Sequence, residues 1–170
     1  GSRPASRLEF VYTSARVDFH GLVEPYMRAT LPIRDTRARF VDKLPNNFFL
    51  AGFALLALPR AAIIDARRDP LDVAVSNFRQ HFAEGQAFSY ALDDIAAYHR
   101  LYTELMAHWD AIAPGRILRV EYERLVAAPE TEIRRLLDHC SLSFEPACLA
   151  FHKTARAVRT ASSEQVRQPL

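Results

Sequence analysis

The stretch Ala61-Ala62-Ile63-Ile64-Asp65-Ala66-Arg67-Arg68-Asp69-Pro70-Leu71-Asp72-Val73-Ala74-Val75-Ser76 carries the fold decision. It opens on a short apolar run, residues 61–66, closed by charged residues and a proline, which predicts a buried strand feeding a loop. Pro70 suits the first position of a new helix, where its missing N–H would have had no partner anyway. Leu71, Val73, Val75 and Phe78 supply apolar positions for that helix. A strand running straight into a helix is half of a parallel βαβ unit.

Downstream, the same rhythm repeats. Ser89 is the expected cap of a long helix through Ile112, with Leu92, Ile95, Tyr98, Leu101, Tyr102, Leu105 and Trp109 as its apolar positions. Pro114-Gly115 ends it, and residues 117–122 read as another strand. Helices follow from Glu123, over residues 130–139 and around residues 145–152, before a polar tail. Upstream, residues 19–30 form the best helical stretch of an Arg-rich lead-in, with Pro25 expected to set a boundary or kink. A short apolar piece at residues 39–41 reads as the first of three strands. From Asn46, a plausible cap, a helix carries Phe48, Phe49, Phe53, Leu55 and Leu56 until Pro59 closes it. The expectation is an α/β domain with a parallel sheet and flanking helices over residues 38–170, preceded by a helical lead-in over residues 1–37. Ligands of such sheets gather beyond the carboxyl ends of the strands.

With 170 residues, 49% of them apolar and 25% charged, the chain fits one modest globular domain. It holds 22 basic and 20 acidic residues, a net charge of +2, too balanced for a protein that coats nucleic acid. Its five glycines, Gly1, Gly21, Gly52, Gly85 and Gly115, stand singly, which excludes a complete phosphate loop or dinucleotide fingerprint within the chain. Cys140 and Cys148 form no Cys-x-x-Cys pair and no metal pattern with the scattered histidines, so buried free thiols are expected, and no metal site. No apolar run reaches transmembrane length and no signal-peptide pattern occurs, giving a cytoplasmic chain as the expectation. The first methionine is Met27, so Gly1-Ser2 reads either as a cloning scar or as the interior of a longer reading frame.

The three strand ends hold the candidates for chemistry. The first delivers Asp42 and Lys43. A lysine ammonium can lie against a phosphate or sulfate oxygen, or simply pair with Asp42 or Asp35 at the surface. The second delivers Arg68, just before a helix whose amino end favours anions and able to grip a phosphate through two hydrogen bonds. Ser76 follows about two helical turns later. Against that, Arg68 can pair with Asp72, and Ser76 can bond its own backbone. The third brings Tyr122, whose ring can lie on an adenine or whose hydroxyl can reach a phosphate; a buried tyrosine with a satisfied hydroxyl is the plainer alternative. His108 and Trp109 read as helix-packing residues. The tail from Lys153 to Leu170 suits either a loop closing over an anion or a solvated terminus.

In order along the chain, several segments closely resemble a sulfotransferase, specifically the bacterial relatives of tyrosylprotein sulfotransferase often attached to tetratricopeptide repeats. They are Val41-Asp42-Lys43-Leu44-Pro45-Asn46-Asn47-Phe48, Asp65-Ala66-Arg67-Arg68-Asp69-Pro70-Leu71-Asp72 through Ser76, Tyr102 through Trp109, Val120-Glu121-Tyr122-Glu123-Arg124-Leu125-Val126, and Arg159-Thr160-Ala161-Ser162-Ser163-Glu164-Gln165-Val166-Arg167. The resemblance implies a helix-rich, P-loop-NTPase-like parallel sheet. It implies transfer of a sulfuryl group from 3′-phosphoadenosine 5′-phosphosulfate (PAPS) to an acceptor hydroxyl or amine on a protein tyrosine, a glycan or a small molecule, without a metal. Arg68 and Ser76 would hold the donor 3′-phosphate, and Tyr122 would contact the nucleotide. Lys43 and Ser162 would stabilise charge on the transferring group and the leaving phosphate. The family's first strand, its glycine-containing phosphate loop and the following carboxylate, the general base, have no counterpart here. The expectation is therefore a truncated domain, with tetratricopeptide repeats possible upstream, that does not transfer sulfate by itself. Two other classes stay open: a non-catalytic helical α/β module binding a partner through its first 37 residues or its Trp109 helix, and a nucleotide-kinase relative that would need a divalent metal.

Overall fold

The computed structural model describes residues 16–34, 39–82 and 85–153. The chain divides into two compact units, Gly1–Ala61 and Ala62–Leu170.

In the first unit, α1 spans Phe19–Arg34 and runs through both Pro25 and Pro32, so the expected boundary does not form. Its start is set by Asp18, whose Oδ1 accepts the Gly21 N–H at 3.0 Å. A side chain at Gly21 would collide with that carboxylate, since a Cβ there would lie 2.5 Å from Asp18 Oδ2. Residues 39–44 follow without regular structure, so the expected strand at residues 39–41 is absent. Here the backbone pairs with no neighbouring strand among the described residues. Side chains tether it instead: Tyr26 donates its hydroxyl to Asp42 Oδ2 at 2.9 Å, and its ring lies 6.4 Å from that of Phe40. A 3-10 turn over Pro45–Leu50 leads into α2, Ala51–Ala57. Asn46 lies inside the turn rather than capping a helix, because Pro45 already occupies its first position.

Burial, and secondly the bond to Asp42, push the Tyr26 hydroxyl up to about 12. Its contribution to stability is fully present below the ordinary tyrosine value of 10.0 and is lost as pH climbs toward 12. Tyrosinate absorbance in alkaline titration should show a group ionising near pH 12 that disappears in Tyr26→Phe. If the absorbance lost in Tyr26→Phe lies near pH 10.0 instead, the hydroxyl is neither buried nor bonded to Asp42 in solution.

The second unit holds a parallel pair, β1 (Ile63–Arg67) and β2 (Ile117–Glu121), in register from Ile63 opposite Ile117 to Arg67 opposite Glu121. Between them come α3 (Pro70–Arg79), a 3-10 turn (Ala87–Tyr90) and the long α4 (Leu92–Ile112). After β2 come α5 (Tyr122–Ala127), α6 (Pro129–His139) and a kinked 3-10 stretch, Pro146–Lys153. Ile95, Met106, Ile117 and Val120 are its buried apolar residues. β1 is covered on one face only: Asp65 is buried while its neighbours Ile64 and Ala66 are exposed. The fully buried strand expected from the apolar run is thus half-covered among the described residues. Asp69 caps α3, accepting the Leu71 and Asp72 N–H groups, and Pro70 occupies the first turn as expected. Gly115, at φ +75°, supplies the left-handed residue in the turn between α4 and β2.

Ser89 is not the α4 cap. It sits two residues too early, buried in the 3-10 turn, and α4 starts after Ala91 with no side-chain cap. Asp93 and Asp94 in the first turn complement the helix dipole instead. Trp109 is half-buried, but His108 is exposed, and the free thiols of Cys140 and Cys148 are half-buried rather than buried.

Side chains lock these elements together. Asp65 accepts the Tyr102 hydroxyl from α4 at Oδ1 and Arg67 Nε at 2.6 Å. The Arg67 guanidinium also lies over the Tyr102 ring, 5.2 Å from its centre. Burial and the bond to Asp65 raise the Tyr102 hydroxyl well above the ordinary tyrosine range. Asp65→Ala removes the acceptor for both groups and should cost about 2–3 kcal/mol. Urea denaturation should show this as a lower midpoint at unchanged slope. A midpoint equal to the parent's would mean that water serves both donors equally well.

Candidate anion-binding site

Beyond the last backbone pair of the sheet, the two chains diverge into α3 and α5. Arg68 and Tyr122 stand at this divergence, one past the end of each strand. The Arg68 guanidinium lies over the Tyr122 ring, 5.0 Å from its centre. Tyr122 is exposed, which excludes the reading of a buried tyrosine with a satisfied hydroxyl. The Asp72 carboxylate on α3 accepts from Arg68 Nε at 3.1 Å and Nη2 at 2.8 Å. Asp72 is the main cause, and Tyr122 and Glu123 are lesser ones, of a guanidinium pKa raised above its ordinary value. The pairing with Asp72 considered from sequence is therefore real, but it occupies one edge of the guanidinium. Among the described residues, Nη1 on the other edge has no hydrogen-bond partner.

The remaining candidates stand on α3, in the first unit or outside the described residues. Ser76 is on α3 and exposed, about 9 Å along the helix axis from Pro70. Lys43 belongs to the first unit and is exposed just before the 3-10 turn. Its neighbour Asp42 is held by Tyr26 and, at 3.4 Å, by Asn47 Nδ2, and among the described residues Lys43 makes no ion pair. Ser162 and most of the basic tail lie outside the described residues. No group of three or more metal-ligating side chains occurs among the described residues.

Two groups that sequence reasoning passed over shape this region. Glu123 accepts the Asp69 N–H at 2.9 Å across the strand ends. Asp65 is the second; an acid in the middle of an apolar strand was its visible signal, since buried carboxylates need partners.

A parallel α/β unit with an arginine and an exposed aromatic ring at its strand ends has the makings of a nucleotide-phosphate site. The family model described as the sulfotransferase family matches residues 8–146, and the chain belongs to that family. A protein of Aquifex aeolicus carrying the description "uncharacterized protein" is 40% identical over 146 residues, which is 84% of this chain and 19% of that protein. The omega-hydroxy-beta-dihydromenaquinone-9 sulfotransferases of Mycobacterium bovis and Mycobacterium tuberculosis are each 30% identical over 115 residues, 62% of this chain and 29% of theirs. The chain thus spans less than a third of the length of these relatives. No helix among the described residues is long and apolar enough to cross a membrane.

Proposed function

We propose that this chain carries the 3′-phosphate half of a PAPS site in a sulfotransferase related to the tetratricopeptide-linked enzymes. The observation that carries this reading is the exposed Arg68 guanidinium over the exposed Tyr122 ring at the carboxyl ends of two parallel strands. These residues fit the donor: an open guanidinium edge suits a phosphate, and a tyrosine ring suits an adenine face. Ser76 would add a hydroxyl to the same phosphate. Sulfuryl transfer forms a bond from the acceptor oxygen to sulfur and breaks the bond from sulfur to the phosphate oxygen, and the acceptor hydroxyl passes its proton to a general base. As in phosphoryl transfer, positioning and charge neutralisation do most of the work. Lys43 and Ser162 would supply that neutralisation at the sulfuryl oxygens and the leaving phosphate. The mycobacterial relatives are named for a hydroxylated acceptor, which supports a hydroxyl over an amine here. A P-loop-NTPase-like sheet is part of the same reading.

Titration calorimetry with adenosine 3′,5′-bisphosphate tests the proposal. Binding weakened strongly by Arg68→Ala and less by Ser76→Ala supports it. Binding unaffected by either substitution refutes the site and leaves the helical α/β partner-binding module as the better description.

A further inference from the structure

Two contacts continue the parallel ladder past its last backbone pair. Arg67 pairs with Glu121 through the backbone. Arg68 lies over Tyr122. The Asp69 N–H donates to Glu123 Oε1 at 2.9 Å, joining residues 54 positions apart. We propose that Glu123 is a positioning residue for the anion-binding arginine, its carboxylate oxygen holding the Arg68-Asp69-Pro70 turn so that the guanidinium stays against Tyr122 with one edge open to a phosphate. This rests on the donor-site reading above.

The backbone that Glu123 grips is the cap residue of α3. Asp69 accepts the Leu71 and Asp72 N–H groups at 2.8 and 3.3 Å, so fixing Asp69 fixes the first turn of the helix. That turn carries Asp72, which holds the Nε and Nη2 edge of Arg68. The guanidinium is thereby held on one edge by Asp72 and on one face by Tyr122. Both supports keep their places only while the two diverging chains stay together. An unrestrained arginine loses rotamer entropy on binding, and a prearranged one loses less.

Glu123 has the wrong charge for an anion site. Acting through charge alone, it weakens phosphate binding, and removing it tightens binding. Acting as an acceptor for the Asp69 N–H, it strengthens binding, and removing it weakens binding. The two roles have opposite signs, so affinity separates them.

The experiment compares Glu123→Ala and Glu123→Gln with the parent chain, using adenosine 3′,5′-bisphosphate titration and hydrogen exchange at the Asp69 amide. Glu123→Ala is expected to weaken binding about five- to tenfold despite losing a negative charge, and to leave the Asp69 amide fast-exchanging. Glu123→Gln, whose amide oxygen can still accept from Asp69, should bind at least as tightly as the parent with the amide still protected. Equal or tighter binding by Glu123→Ala overturns the proposal, and so does unchanged protection of Asp69 in that variant. No binding by the parent, or an affinity unchanged by Arg68→Ala, refutes the donor site itself, and the proposal falls with it. An affinity that depends on Arg68 but not on Glu123 refutes the positioning role alone.

Discussion

Arg68→Ala is expected to weaken adenosine 3′,5′-bisphosphate binding about 10- to 100-fold, measured by titration calorimetry. A charge-assisted, two-pronged contact to phosphate is among the stronger polar interactions available to a side chain, and the open edge of Arg68 is placed to make one. The substitution also frees the Asp72 carboxylate, leaving an uncompensated negative charge beside the incoming phosphate. Both effects act in the same direction. Ser76→Ala removes a single neutral hydroxyl and should cost only about fivefold. Lys43→Ala should weaken this affinity less than Arg68→Ala does, because the bisphosphate keeps the leaving phosphate but lacks the sulfuryl group that Lys43 is also proposed to meet. The same affinity for parent and Arg68→Ala would show that the strand ends are not the donor site.

Glu132→Ala should give the largest loss of stability, a Tm lower by on the order of 10 °C in a thermal melt. Glu132 is only 2% exposed, yet it is charged and serves two guanidinium groups. Arg124 from α5 reaches its Oε1 at 2.9 Å, and Arg135, one turn along α6, grips its Oε2. Arg135 in turn donates to the Arg119 carbonyl of β2 at 2.8 Å. One carboxylate thus ties α5, α6 and β2, and truncating it leaves two arginines without their anion. The bonds to Arg135, and then the charge of Arg124, hold the Glu132 pKa below the ordinary value of 4.5. Its contribution is therefore fully present above pH 4.5 and is lost as pH falls through the lowered value. The difference in Tm between parent and variant should narrow on acidification below that point. A difference that stays constant into strong acid would show that packing, not charge, accounts for the loss.

Glu132 also marks a boundary in what the sequence discloses. Its pairing with Arg135 is local to one helix turn, but its burial depends on β2 and α5 arriving from elsewhere. The Arg68–Tyr122 pair shows the same division. Each residue was legible as a strand-end candidate, while their stacking required the register that sets Arg67 opposite Glu121.

By itself the sequence determined the elements whose signals act within a few residues. The strand at β1, the proline at the start of α3, the turn at Gly115 and the long period of α4 all appear where local chemistry puts them. It failed where a local signal had a competitor. Ser89 offered a cap, but α4 begins later, and of the boundary or kink expected at Pro25 the boundary does not form. The apolar piece at residues 39–41 had the composition of a strand but pairs with no strand among the described residues, and a strand without a partner leaves its backbone groups to water or side chains. Tertiary structure alone decided the contacts that hold the site: Asp65 with Tyr102, 37 positions away, and Asp69 with Glu123, 54 away. Caps, turns and periodicity are short-range forces written into neighbouring residues. A hydrogen bond between distant residues has no local signature and exists only once the sheet has brought its two ends together.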